Sequence, residues 1–175
     1  MTFPTVVLAE YNPRWPDLFE IEKARILGAI GLQVLAIEHV GSTAVPGMPA
    51  KPVIDLMVGT SNVAATADAC TAPLQRIGYE YIPKPALSDW RFFRRGAWLL
   101  DCMYHLHMVE MGGATWHRYT VFRDALRADP EVARGYIELK QRLAAEYRYD
   151  RGTYTAEKNS FIEGVIAKVE NGLEP

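Results

Sequence analysis

The stretch "HVGSTAVPGMPAKPVIDLMV", residues 39–58, sets two apolar runs on either side of a connection rich in glycine and proline. The runs "QVLAIEHV" (33–40) and "PVIDLMV" (52–58) are short and rich in Val and Ile, which fits strands, and "GSTAVPGMPAK" (41–51) fits a loop. Two adjacent antiparallel strands are expected. Alternate residues of a strand share a face, so Ile54, Leu56 and Val58 point one way and Val53, Asp55 and Met57 the other. A carboxylate on a covered sheet face needs a cation, a metal or several donors. Asp55 is either a salt-bridged structural acid or a site residue. Gly41 and Ser42 are either a plain turn or one whose backbone N–H groups and hydroxyl face an anion.

A second zone completes the pattern. In "YHLHM" (104–108) a strand puts His105 and His107 on one face with Met103 and Val109. Two imidazoles with an oxygen from Asp55 would make a mixed nitrogen and oxygen site for Zn, Mn or Fe, better than an all-oxygen Mg site. The plainer alternative is that these are ordinary polar residues on an exposed face. His39 falls beside the Gly-Ser turn. Lys51, Arg91, Arg94, Arg95, Arg123, Lys140 and Lys158 recur near these segments and on the helices; a polyphosphate pocket requires several to converge, and otherwise they are simply solvated.

Working outward, "YNPRWPDLF" brackets a turn after which Asp17 caps a helix running to about Gly31, with Phe19, Ile21, Ile26, Leu27 and Ile30 as its apolar positions. Residues 62–77 read as a helix that Pro73 kinks or divides and Gly78 ends. "YEYIP" and "WRFFRR" are further strands around the loop "KPALSD", and "AWLLDCMYHLHMVE" (97–110) is the longest strand candidate. After Gly112 and Gly113 the apolar spacing turns helical, predicting three helices over 115–129, 130–148 and 155–170. Pro130 suits the first turn of the second, and Thr155 the cap of the last.

The 175 residues are 49% hydrophobic and 23% charged, enough for one core, and one domain over 1–175 is expected. A formal net charge of -2 gives no strong nucleic-acid signal. No apolar run is long enough for a bilayer. Cys70 and Cys102 form no CxxC pair and the N-terminus has no secretory pattern, so a reducing cytoplasm is expected. No GxSxG elbow occurs, and Cys102 points away from His105 in a regular strand, which argues against ordinary serine or cysteine hydrolase chemistry.

"IEHVGSTAVPGMPAKPVIDLMV", "HLHMVE", "FRDALRADP", Y-x-x-L-K (Tyr136 to Lys140) and Y-T-x-x-K (Tyr154 to Lys158) together resemble the GrpB family over nearly the whole chain. That family looks like a branch of the nucleotidyltransferase superfamily. The resemblance implies an α/β (α+β) fold, a mixed β-sheet packed with helices and a helical C-terminal third. It also implies a phosphate turn at Gly41 and Ser42, with Asp55 as the first acid of an Asp-x-Asp or Asp-x-Glu pair that, with a third carboxylate from a neighbouring strand, holds two metals around a nucleoside triphosphate; the cofactor expected here is a divalent metal (Mg, Mn or Zn). Met57 stands where the second acid belongs, and a thioether cannot replace a carboxylate for Mg.

On that resemblance the catalytic candidates are Asp55 and Ser42. His105 and His107 fall on the strand where that superfamily's third acid is expected, so the metal set read from the residues themselves is Asp55, His105 and His107, and the phosphate or ligand contacts are Gly41, Ser42, Lys51, Arg123, Lys140 and Lys158. The ligand is a nucleotide or other phosphorylated small molecule, with metal-dependent nucleotidyl transfer. The alternative is a non-catalytic ligand- or partner-binding domain that has lost the transferase acids. GrpB-like segments also occur fused to dephospho-CoA kinase, but this chain has no GxxxxGK[ST] phosphate loop.

Overall fold

Asp55 and His105 are Cα partners in a parallel pair of strands, and this one register organises the molecule. A computed structural model describes residues 6–83, 89–96 and 103–172. The strands are β1 (Ala36–Val40), β2 (Val53–Thr60), β3 (Glu80–Ile82), β4 (Trp90–Arg95) and β5 (Met103–Glu110), in the order β1-β2-β5-β4-β3. Only β2 and β5 run parallel; β1 pairs antiparallel with β2, as its short Gly/Pro connection requires, and β4 antiparallel with both β3 and β5. The sheet is therefore mixed. A parallel pair needs a long crossover, supplied here by α2 (Val63–Arg76), β3 and β4.

The two-residue period sorts the sheet into two faces. Ile54, Leu56 and Val58 of β2 join Tyr104, Leu106 and Met108 of β5 and Phe93 of β4 beneath α1 (Trp15–Ile30) and α2. Burial of this face is the main apolar driving force. The opposite face is only partly roofed by α3 (Ala114–Ala128), α4 (Pro130–Glu146), α5 (Arg151–Ala156) and α6 (Asn159–Glu170). A second apolar cluster, including Val45, Met48, Leu126, Tyr136 and Val165, joins those helices to the loop after β1. The uncovered remainder is a cleft. Within it Asp55, His105 and His107 stand on the face opposite the main core.

Several expectations are corrected. The first helix begins at Trp15, so Asp17 sits in its first turn and no side chain caps it. Its buried stripe is Trp15, Phe19, Glu22, Ile26 and Ile30, while Ile21 and Leu27 are exposed; the 3.6-residue period selects Glu22 over the apolar Ile21. Pro73 does not divide α2 into separate helices: it lies one turn from the end, where its missing N–H removes one hydrogen bond. The last predicted helix is two, α5 and α6, with Thr155 inside the first rather than at a cap. Asp129 caps α4 through Glu131 and Val132 N–H with Pro130 in the first turn, as expected. The 97–102 part of the long strand candidate lies outside the described residues, as does Cys102.

Glu22 lies buried in the core, where two residues donate hydrogen bonds to its carboxylate. Tyr79 donates its hydroxyl to Glu22 Oε1 at 2.9 Å, and Arg95 of β4 donates Nε to Oε1 at 2.9 Å and a terminal N–H to Oε2 at 2.5 Å. The guanidinium lies 4.5 Å from the Tyr104 ring centroid. Hydrogen bonds and this cation–π contact offset the desolvation of the pair.

Candidate functional site

Asp55 Oδ1 accepts from His105 Nδ1 and from His107 Nε2, each at 3.2 Å. An ionised carboxylate only accepts, so both imidazoles present N–H to it. Burial pushes the Asp55 carboxyl up, but the two imidazole hydrogen bonds outweigh it and hold the group below the usual carboxylate range. One potential ligand atom from each of Asp55, His105 and His107 lies within 4.8 Å of the others. Two imidazoles and a carboxylate with space on one side are a donor set that divalent transition metals accept. The rings are held in place: Trp90 stacks on His107 at 5.4 Å, and Phe92 meets His105 edge-on at 4.9 Å.

The fit has one weak point. Nδ1 of His107 is buried and has no hydrogen-bond partner among the described residues. Ligation through Nε2 would move the ring proton to Nδ1, where nothing accepts it, so His107 would be the weaker of the two nitrogen ligands.

Gly41 has φ 73° and ψ -175°, a region open essentially to glycine. A Cβ there would lie 2.5 Å from Asp55 Oδ2. The glycine is thus fixed by the acid it faces. Gly41→Ala is expected to displace the Asp55 carboxylate and to cost about 1–3 kcal/mol from strain and overpacking, read by urea unfolding; unchanged stability would contradict the close approach.

The next residue, Ser42, begins a single 3-10 turn ending at Ala44. Lys140 reaches from α4 to place Nζ 3.2 Å from Ser42 Oγ and 2.6 Å from the Pro49 carbonyl oxygen. Lys51 and Lys158 place their ammonium groups 4.2 Å and 4.4 Å from the Tyr154 ring centroid. Ser42, Lys51, Lys140, Lys158 and Arg151 all line the same cleft as Asp55 and the histidines, a space of about 740 Å³.

Burial lowers all three lysines from 10.5: Lys51 to about 7, with Arg151 and Lys158 nearby adding to it, Lys140 to about 7 with Lys158 adding, and Lys158 to about 8, where Asp55 works against the burial. Since their folded values lie below the unfolded 10.5, the unfolded chain binds more protons between pH 7 and 10.5, and stability rises with pH there. Buried Cys70 and several tyrosines are raised and act oppositely at the alkaline end. The unfolding free energy is therefore expected to increase from about pH 7 to about pH 9, less so in Lys140→Met. A flat or falling profile by urea denaturation would contradict these environments.

Of the residues singled out in the sequence, Gly41, Ser42, Lys51, Asp55, His105, His107, Lys140 and Lys158 meet in the cleft. Arg123 reaches its edge with its guanidinium already engaged by Glu38 at 2.7 Å, the His39 carbonyl at 3.1 Å and Asp124 at 2.8 and 3.1 Å. It ties α3 to β1 and has little left for a ligand. His39 turns to the opposite face, stacked on Phe19 at 4.7 Å, with Nε2 3.1 Å from Thr43 Oγ1. Burial first, with Arg127 and Arg123 adding and Asp55 opposing, lowers His39 to about 4, so it is neutral. Thr43 donates its hydroxyl hydrogen bond to the Val53 carbonyl at 3.0 Å, linking the turn to β2.

Arg94 and Arg95 pair with Glu80 and Glu22 instead of forming a free basic patch. Tyr136, Tyr154 and Arg151 were not assigned roles in the sequence. The signal for the two tyrosines lay in the repeated Tyr/Lys spacing of Tyr136 with Lys140 and Tyr154 with Lys158, and Arg151 carried none.

The fold and cleft together define a class: a helix-backed mixed sheet carrying a carboxylate and two imidazoles beside a glycine-serine turn and a wall of lysines. The family model described as GrpB protein matches residues 5–168, and the chain belongs to the GrpB family. The glutamate-rich protein GrpB of Alkalihalophilus pseudofirmus is 34% identical over 163 residues, which cover 92% of this chain and 94% of that one.

The crystal structure of conserved protein GrpB from Enterococcus faecalis has a TM-score of 0.82 at 31% identity, covering 93% of this chain and 96% of that one. A dephospho-CoA kinase of Mycolicibacterium paratuberculosis is 40% identical over 171 residues, covering 83% of this chain but 40% of the kinase. No helix among the described residues is long and apolar enough to cross a membrane.

Proposed function

We propose that residues 1–175 act as one domain, in the cytoplasm, that binds a nucleotide or other phosphorylated small molecule in the cleft, with one divalent metal ion at Asp55, His105 and His107. The observation carrying this reading is the charge imbalance of the cleft wall. Lys51, Lys140 and Lys158 crowd together, partly desolvated, with no carboxylate in ion-pair distance of any of them among the described residues. Burial and like-charge neighbours disfavour the charged forms of Lys51 and Lys158, and an anion brought between them would favour those forms. A bound metal would supply Lewis-acid polarisation of a phosphoryl oxygen. Ser42 and the N–H groups of its turn orient the phosphate, and the Trp90 and Phe92 rings hold the imidazoles.

Kinship with the nucleotidyltransferase superfamily is part of this proposal, supported by the Gly-Ser turn preceding the strand that bears Asp55. Met57 is fully buried on the Asp55 face where a second acid would stand, and it supports a binding role or single-metal chemistry over two-metal nucleotidyl transfer. The similarity to part of a dephospho-CoA kinase makes coenzyme A precursors sensible first ligands beside nucleotides.

Calorimetric titration of ATP, GTP, CTP, UTP and dephospho-CoA, each with Mg, Mn and Zn, is expected to show binding of at least one ligand, weakened at least about tenfold in a Lys51→Ala, Lys158→Ala double variant through loss of two charge-assisted contacts. Silence under every combination would overturn the proposal.

A further inference from the structure

The contacts of Lys140 are unusual for a lysine that only neutralises phosphate. It is 2% exposed, and Ser42 Oγ and the Pro49 carbonyl lie within hydrogen-bond distance of its Nζ. The Tyr136 ring centroid is 5.0 Å away, and the Tyr136 hydroxyl also exchanges a hydrogen bond with Ser42. Lys158 is the charged neighbour felt at Nζ, and no acid offsets it among the described residues.

A neutral amine satisfies this geometry. Protonated, Nζ donates to both the Pro49 carbonyl and Ser42 Oγ; neutral, it keeps the N–H to Pro49 and its lone pair would accept the Ser42 hydroxyl proton. An ammonium ion would be buried beside a like charge. Burial indeed lowers Lys140 to about 7, where an amine can take a proton at physiological pH. A hydroxyl and a base in hydrogen-bond contact, with the hydroxyl opening on a cleft, form an activated nucleophile.

We propose that Ser42 is a nucleophile and Lys140 its proton acceptor, so that the cleft transfers a phosphoryl group through a phosphoester on Ser42. The proposal rests on the cleft being a phosphate site and adds a reaction to it. In the step, the Ser42 Oγ–P bond forms while the bond from phosphorus to the leaving oxygen breaks. The Oγ proton passes to Lys140 Nζ, and the leaving group departs with its electron pair. A phosphoric–carboxylic anhydride donor releases a carboxylate, which needs no proton. Lys51 and Lys158 lie on the same wall to face the phosphoryl oxygens.

Acetyl phosphate is the probe, with intact-mass measurement and peptide mapping after incubation across pH 6 to 9, with and without Mn. The expected result is the mass gain of one phosphoryl group at Ser42, formed faster as pH rises through about 7. It should be absent in Ser42→Ala and at least about 100-fold slower in Lys140→Met and in Lys140→Arg, since general-base catalysis contributes roughly that much. Lys140→Arg keeps hydrogen-bond donors but carries a permanent charge and offers no base of suitable pKa, so loss of labelling in a folded, phosphate-binding Lys140→Arg protein separates catalysis from packing. If calorimetry shows phosphate binding but Ser42 stays unmodified, or is modified equally in Lys140→Arg, this proposal is overturned and the binding reading stands. If neither binding nor modification occurs, both fall.

Discussion

Arg95→Met is expected to destabilise the protein by about 3–5 kcal/mol, the usual result of removing one partner of a buried ion pair. Glu22 is 1% exposed on α1 and Arg95 is its only cationic partner among the described residues. Methionine keeps much of the side-chain volume above Tyr104, so the loss reports the uncompensated carboxylate more than a cavity. Tyr79 alone cannot satisfy it. The double variant Glu22→Leu, Arg95→Met should recover much of the loss, because replacing both members by apolar groups removes the buried charge altogether. Urea denaturation of the two variants checks both statements. A loss below about 1 kcal/mol in Arg95→Met would place the pair in solvent.

Glu22 also shows where sequence reading reaches its limit. Helical spacing located α1 and most of its stripe, but hydrophobicity favoured Ile21 and Leu27, which are exposed, over a glutamate whose burial depends on an arginine 73 residues away. The sheet was legible because its strands carry a period of two and their turns carry Gly and Pro. Its order, with β5 inserted beside β2, was not, since strand pairing is a long-range choice.

The site divides the same way. Alternation put Asp55 on one face and paired His105 with His107, and the parallel register brought the two strands together. Which lysines converge depended on how α4, α5 and α6 fold back over the sheet. Lys140 and Lys158 proved to line the cleft. Arg123, of the same charge and similarly placed on a helix, is held by Glu38 and Asp124.

Asp55→Asn is expected to weaken Mn and Zn binding by on the order of 100-fold or more, since even residues that only support a metal ligand contribute roughly 10–100-fold. The substitution keeps the shape of the side chain and removes its charge. It also replaces one acceptor of two imidazole N–H groups by an amide that competes for the same geometry. Because hydrogen bonds from both histidines hold the wild-type carboxyl below its usual value of 3.8 against the effect of burial, its contribution to stability is present above that value and lost as pH falls below it. The variant should therefore be less sensitive to acid between about pH 4 and 2. Competition against a chromogenic chelator measures the affinity. Equal affinity in the two proteins, or none in the wild type, would remove the metal from this cleft.

Calorimetry of ATP binding at about pH 8 in two buffers of different ionisation enthalpy, Tris and HEPES, tests the anion cleft most directly. Lys51 at about 7 is mostly neutral there and Lys158 at about 8 is half protonated, so a phosphate brought between them must draw protons in from the buffer. The expected result is binding whose heat differs between the buffers in the sense of proton uptake, and uptake that shrinks at about pH 6, where both lysines already carry their protons. Binding with the same heat in both buffers at pH 8, or no binding up to millimolar ATP, would contradict the lysine-lined phosphate site.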